Sequence, residues 1–185
     1  MKTPLVIITA LERELAPTAL SSHIPILYSG IGKINAALAT FKAIQQYQPA
    51  LIINFGTAGK INPKCFGLLE VKKVIQRDMM AEPLAPRGTV PFSDKPNALY
   101  SLYGDCVCAT GDSFVTGRDD WLIYNQVDVV DMELYAIASV ADEFGIHWRS
   151  FKYLSDEANE ASGKEWADKV SHGEILFLER LSALI

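Results

Sequence analysis

The chain has 185 residues, 49% of them hydrophobic and 21% charged, with a formal net charge of −5. Size scaling lets a chain of this length bury about 70% of its unfolded surface without disulfides or metal, so a single domain over residues 1–185 is expected. The acidic balance offers no cationic field to phosphate backbones or anionic lipid, which argues against nucleic acid and membranes as partners.

An apolar run from Leu5 to Leu11 follows Lys2, but Glu12, Arg13 and Glu14 end it too early for a secretory signal. Leu5 to Thr9 instead predicts a strand buried on both faces. No stretch approaches the ~18 uninterrupted apolar residues of a membrane span, and a cytoplasmic location is expected. Ile24 to Tyr28 predicts a second strand, closed by Ser29-Gly30. From Lys33 to Tyr47, Ile34, Ala37, Leu38, Phe41 and Ile44 recur with helical spacing, and Pro49 ends the pattern. Leu51 to Phe55 predicts a core strand stopped by Gly56 and Gly59.

Glu70 to Gln76 reads as extended, whereas Pro83, Pro86, Gly88, Pro91 and Pro96 predict an irregular loop over Glu82 to Pro96. Cys106 to Thr110 and Val127 to Val130 predict short strands. Leu134, Ile137, Ala138, Ala141 and Phe144 then trace a helix face that Gly145 terminates. Trp148 to Leu154 supplies a last strand. Ser162 and Glu165 have capping-box spacing, with Trp166, Val170, Leu178 and Leu181 in helical material interrupted at Gly173. Strands alternating with helices predict an α/β fold, a mainly parallel or mixed sheet in a three-layer α/β/α arrangement.

Gly30-Ile31-Gly32-Lys33 joins a strand to a helix but matches neither phosphate-loop pattern: Asn35 stands where the dinucleotide motif needs a small residue, and Leu27 and Ile34 miss the mononucleotide motif. Close turn packing and approach of a ligand both remain open for it. Cys65, Cys106 and Cys108 lack zinc-knuckle spacing, and His23, His147 and His172 are scattered, so no metal or cofactor is assigned.

Acids recur where strands end, in Glu12 and Glu14, in Asp131 and Glu133, and in Asp156. Ligands of open parallel sheets sit beyond the carboxyl ends of the strands, so these side chains can converge on one small molecule. Hydrolysis at a sugar is the chemistry they fit. Seen singly each acid has a plainer reading: Glu14 or Glu12 as a solvated acid near a helix start, Asp156 as the N-cap of a following helix, Glu133 as a helix-start acid, with Asp131 the better candidate for the cap there.

Taken together, Ala10-Leu11-Glu12-Arg13-Glu14, Ser29-Gly30-Ile31-Gly32-Lys33, Ile53-Asn54 with Gly56-Thr57-Ala58-Gly59, Thr110-Gly111-Asp112-Ser113-Phe114, Asp131-Met132-Glu133 and Ser155-Asp156 resemble the 5′-methylthioadenosine/S-adenosylhomocysteine nucleosidases of the nucleoside phosphorylase superfamily. The chain reads as a shortened member, with little room between Glu14 and Ser29 for extra strands. The resemblance implies a nucleoside phosphorylase-like fold and a homodimer acting on a purine nucleoside. It nominates Glu14 to activate water, with Glu12 as the alternative, and Asp156, oriented by Ser155, to protonate the imidazole ring of the leaving base. Glu133 is implied to grip the ribose hydroxyls, with Met132 against the sugar. Phe114 is implied to stack on the adenine and the backbone of Val115 to read its edge, with Thr57, Ala58 and Gly59 on the other side. Lys152 falls where many bacterial relatives carry Arg and plant-type members Lys.

A phosphorylase would want convergent cations for phosphate, whereas the six arginines sit outside the aligned pocket motifs and a Glu is implied on the attacking side, so hydrolysis is favoured. A purine nucleoside phosphorylase, a futalosine-type hydrolase and a non-catalytic nucleoside-binding protein stand as alternatives.

Overall fold

The computed structural model describes residues 5–20, 23–117 and 119–184; Lys2 and Arg118 lie outside them. In chain order the elements are β1 (Leu5–Thr9), β2 (Ile26–Tyr28), α1 (Lys33–Tyr47), β3 (Leu51–Lys60), β4 (Leu68–Gln76), β5 (Ala98–Tyr100), β6 (Cys106–Thr110), α2 (Asp120–Tyr124), β7 (Val129–Asp131), α3 (Leu134–Glu143), β8 (His147–Asp156), α4 (Ser162–Lys169) and α5 (Glu174–Ser182). The strands form one mixed sheet in the order β2-β1-β3-β7-β6-β4-β5, and β8 bridges β3 and β4. β1, β2, β3 and β8 run parallel to one another, as do β4, β6 and β7. The two sets meet antiparallel where Gly59 pairs with Val130 and Leu69 with Lys152.

Alternation along the first strand divides the core into two layers. Val6 and Ile8 join Ala36, Ala43 and Ile44 of α1 and Leu134, Ile137 and Ala141 of α3 on one face. Leu5 and Ile7 join Ile53, Phe55, Phe151 and the α5 residues Phe177 and Leu181 on the other. Phe177 stacks on Phe55 with ring centroids 4.3 Å apart. This is the three-layer α/β/α arrangement expected from the alternation of elements.

Three local expectations change. β3 does not stop at Gly56 and Gly59 but runs through both to Lys60. Those glycines remain in extended backbone and leave room for functional side chains, as described below. α1 has the expected bounds, yet it turns Ala36, Thr40 and Ala43 inward and leaves Ile34 75%, Leu38 54% and Phe41 46% exposed. The small residues let α1 approach α3 and the sheet closely, so Ile34, Leu38 and Phe41 face outward while Ile44 of the same stripe stays in the core. The capping box is replaced too: Ala161 is the cap residue of α4, Ser162 Oγ accepts from the Asn159 N–H at 2.8 Å, and Glu165 reaches back to the Glu157 N–H at 3.1 Å. The Gly173 break is present, and a Cβ there would meet Tyr153 Cβ at 2.5 Å, so α4 and α5 can turn over Tyr153 only at a glycine. β5 and α2 are additions to the expected elements, while residues 82–96 hold no helix or strand.

Candidate functional site

Beyond Phe55, β3 passes between the ends of β1, β7 and β8, and a hollow of about 170 Å³ opens there. The ten site residues nominated from sequence, Glu14, Thr57, Ala58, Gly59, Phe114, Val115, Met132, Glu133, Ser155 and Asp156, all line it. They arrive on the ends of β1, β3, β6, β7 and β8, which is where a sheet built largely of parallel strands exposes its ligand-facing edge.

The choice between Glu12 and Glu14 is decided by the turn after β1. Glu12 is exposed, whereas Glu14 folds back beneath the turn and is 4% exposed. Its Oε2 accepts from Thr9 Oγ1 at 3.1 Å and from the Ala10 and Leu11 N–H groups at 3.1 and 3.2 Å. Its Oε1 accepts from the Thr57 N–H at 2.9 Å and Thr57 Oγ1 at 2.8 Å. A carboxylate, which only accepts, matches such a ring of donors. Gly56 keeps the space beside it open: a Cβ there would sit 3.4 Å from Glu14 Oε1 and 3.5 Å from Lys152 Nζ.

Glu133 occupies the N-cap position of α3 but makes no side-chain cap bond, and the Asp131 carboxylate, two residues earlier at the end of β7, accepts from the first helical N–H instead. Asp131 Oδ2 accepts from the Leu134 N–H at 2.9 Å, and its Oδ1 accepts from Thr110 Oγ1. Lys152 Nζ lies 2.7 Å from Asp131 Oδ2, with both side chains sealed from solvent. Burial opposes the charge on each, yet the pair wins: the ammonium holds Asp131 below the usual carboxylate range, and Asp131 raises Lys152. Glu133, next along the chain but one, accepts from the Gly32 N–H at 2.9 Å. Burial, and then the negative charge of Asp131, push it up to about 7 against the pull of Lys152 and that N–H. The Gly30 to Lys33 turn thus donates its backbone to an acid of the protein, and Gly32 at φ 97 needs the left-handed freedom of glycine to do so.

Asp156 is not an N-cap, since α4 starts six residues later at Ser162. Its Oδ2 accepts from Ser155 Oγ at 2.9 Å and its Oδ1 from the Ala158 N–H at 3.0 Å, which fixes the carboxyl plane. Gly59 is what makes this placement possible, because a Cβ there would fall 2.8 Å from Asp156 Oδ1. Phe114 stands 49% exposed at the rim of the hollow, so its ring face is free to cover a flat ligand.

Arg77 belongs to none of the aligned motifs, yet it lines the hollow and is 5% exposed. Its Nη2 donates to the Gly111 carbonyl at 2.9 Å and to the Ser113 carbonyl, and its Nη1 to Ser113 Oγ at 3.2 Å. These bonds tie both Nη atoms to the loop that carries Phe114, while the buried Nε has no hydrogen-bond partner among the described residues. Trp166 and Ile31 also line the hollow unforeseen. Trp166 follows the helical spacing of α4 and belongs to no motif, so only the bend at Ala158 to Ala161 brings it back over β3.

The family model of the phosphorylase superfamily matches residues 5–102 and 103–185. A 5′-methylthioadenosine/S-adenosylhomocysteine nucleosidase of Listeria monocytogenes is 30% identical over 172 residues, 76% of this chain and 71% of the relative. The chain belongs to this superfamily and to its methylthioadenosine/S-adenosylhomocysteine nucleosidase family. Two solved structures share the family's fold with it. A Helicobacter pylori MTAN mutant with 5′-methylthioadenosine in its active site superposes with a TM-score of 0.89 at 19% identity, covering 100% of both chains. The futalosine hydrolase of the same organism gives 0.86 at 19% identity, over 98% of this chain and 97% of that one.

Proposed function

We propose that the protein is a nucleosidase that hydrolyses the N-glycosidic bond of an adenine nucleoside of the 5′-methylthioadenosine or S-adenosylhomocysteine type, giving free adenine and the ribose product. The observation that carries this reading is the convergence of Glu14, Glu133 and Asp156, from three distant segments, on one hollow rimmed by Phe114.

Each acid then has a distinct task. Water between Glu14 and C1′ attacks the sugar carbon and gives its proton to Glu14. The bond from C1′ to the base breaks with its electron pair going to the purine, which takes a proton on its imidazole ring from Asp156. Adenine leaves poorly as an anion and well as a neutral base, so this proton is the larger lever. As positive charge grows on the ribose, the Glu133 carboxylate accepts from its hydroxyls and stabilises that charge in a site with little water. Phe114 stacks on the base, Val115 reads its edge, Met132 packs on the sugar, and Thr57, Ala58 and Gly59 form the opposite wall.

Arg77 does not turn the site into a phosphate clamp. Its two Nη atoms are bonded to the loop from Gly111 to Ser113, leaving only a buried Nε without a partner among the described residues, and Lys152 is paired with Asp131, so the lining lacks the several convergent cations a phosphate dianion wants. We further propose one domain throughout, a homodimer and a cytoplasmic location. The exposed stripe of Ile34, Leu38 and Phe41 supports self-association, and the free thiols of Cys65, Cys106 and Cys108 support a reducing compartment.

Incubation with methylthioadenosine, S-adenosylhomocysteine, adenosine, inosine and futalosine, with and without phosphate, tests this by chromatography of released base. Adenine release from the first two in phosphate-free buffer is expected. Release only with phosphate means a phosphorylase, release only from futalosine means a different hydrolase, and tight binding without release means a binding protein.

A further inference from the structure

Trp166 is tied to the proposed base through a single hydroxyl. Its Nε1 lies 2.9 Å from Thr57 Oγ1, and that oxygen lies 2.8 Å from Glu14 Oε1. An indole N–H can only donate, so Thr57 Oγ1 must accept from it. A hydroxyl carries one proton, and with a lone pair already taken by the indole, that proton points at Glu14. The relay from Trp166 through Thr57 to Glu14 therefore runs in one direction.

The helix that carries Trp166 is also anchored to the loop that carries Glu14. Arg13 Nη2 donates to the Ala167 carbonyl of α4 at 3.2 Å, while the Ala16 N–H ties the same loop to the following helix, α5, by donating to Glu174 Oε1 at 2.7 Å. Behind them, Phe177 of α5 stacks on Phe55 of β3. The indole is thus held against the strand that presents Thr57 by its own N–H bond and by the tie of α4 to the Glu14 loop, which a residue serving only as an apolar lining would not require.

We propose that Trp166 is a positioning residue of the reaction: its indole N–H sets the Thr57 hydroxyl as a donor to Glu14 and so aims the carboxylate that takes the proton from water. This rests on Glu14 being the base of a nucleosidase. Without the indole N–H the hydroxyl is free to rotate, and Glu14 Oε1 keeps only the Thr57 backbone N–H as a fixed donor.

Steady-state kinetics of the full chain with methylthioadenosine, on wild type, Trp166→Phe, Thr57→Val, Thr57→Ser and the double variants, tests this. Trp166→Phe keeps an aromatic wall and loses the donor, so kcat falls about five- to tenfold, the worth of one hydrogen bond, with KM within about twofold. In the Thr57→Val background Trp166→Phe has no further effect, whereas in the Thr57→Ser background its full effect returns. Independent of turnover, the Trp166 indole proton resonance, identified by its loss in Trp166→Phe, shifts in Thr57→Val. Wild-type kcat in Trp166→Phe, additive losses in the double variant, or an unmoved indole resonance would each overturn the role of Trp166 while leaving the hydrolase reading intact. Wild-type protein that releases no base from any nucleoside overturns both.

Discussion

Lys152 Nζ stands 2.7 Å from Asp131 Oδ2 where neither side chain reaches water, their exposures being 1% and 0%. Asp131 at the same time accepts from the first N–H of α3 and from Thr110 Oγ1. The pair thus locks β8, β7 and β6 together directly beneath Glu133. Removing the ammonium leaves a buried carboxylate without its counter-charge, which costs far more than the intact pair contributes. Lys152→Met is expected to lose about 3–5 kcal/mol of stability, read from the urea midpoint. Adding Asp131→Asn should restore part of it, and an unshifted midpoint in the single variant would show that the charge finds another partner.

Glu133 predicts a pH dependence of both stability and turnover. Its ordinary value is 4.5 and its folded value is about 7, so the native state binds the proton more tightly than the unfolded chain. For an acid shifted upward, stability is full below about pH 4.5 and is progressively lost as pH rises toward 7, after which the cost is constant. Glu133→Gln should therefore gain on wild type by on the order of 2–3 kcal/mol between pH 4.5 and pH 7.5 in chemical denaturation. The ribose-binding role proposed for Glu133 wants the opposite state, the carboxylate. In the wild type kcat/KM should fall about tenfold per pH unit below about 7, and this limb should be absent from the residual activity of Glu133→Gln.

The place of Asp156 depends on a missing side chain. A Cβ on residue 59 would come 2.8 Å from Asp156 Oδ1 and 3.1 Å from Val130 Cγ2, so Gly59→Ala must displace the acid. Displacement of a reacting group by about 1 Å can cost about 100-fold in rate. Gly59→Ala is expected to lower kcat by that order while melting near the wild-type temperature. Asp156→Asn should lose about 10²–10⁴-fold, and combining the two should cost little more than Asp156→Asn alone. Full additivity would mean that Gly59 acts elsewhere.

The elements were legible where periodicity and burial agree. α1 begins and ends where the spacing of apolar residues places it, because Gln48 turns left-handed at φ 47 ahead of Pro49. Which face α1 buries was not legible, since its apolar stripe and its inward residues Ala36, Thr40 and Ala43 obey the same period and only close packing separates them. The length of β3 is not legible because glycine usually weakens strands, whereas here the strand runs on through Gly56, which lies beside Glu14 and Lys152, and Gly59, which leaves the space that Asp156 fills. The acids could be found from motifs at strand ends. Trp166 could not, for its place in the hollow depends on a chain reversal that no local pattern encodes.

The turn after β1 offers the sharpest comparison of two neighbouring acids. Glu12 is exposed, so Glu12→Gln should leave kcat and stability within experimental error. Glu14 accepts from Thr9, Ala10, Leu11 and Thr57, and in Glu14→Gln one of its two oxygens becomes an NH₂ group facing donors. That change removes the proton acceptor and also sets donor against donor in a buried place, so it should act on both rate and fold. We expect kcat to drop about 10²–10⁴-fold and the melting temperature to fall by several degrees, consistent with about 1–3 kcal/mol for an unsatisfied buried group. Equal losses in Glu12→Gln and Glu14→Gln would instead point to a loop whose integrity matters and whose acids do not.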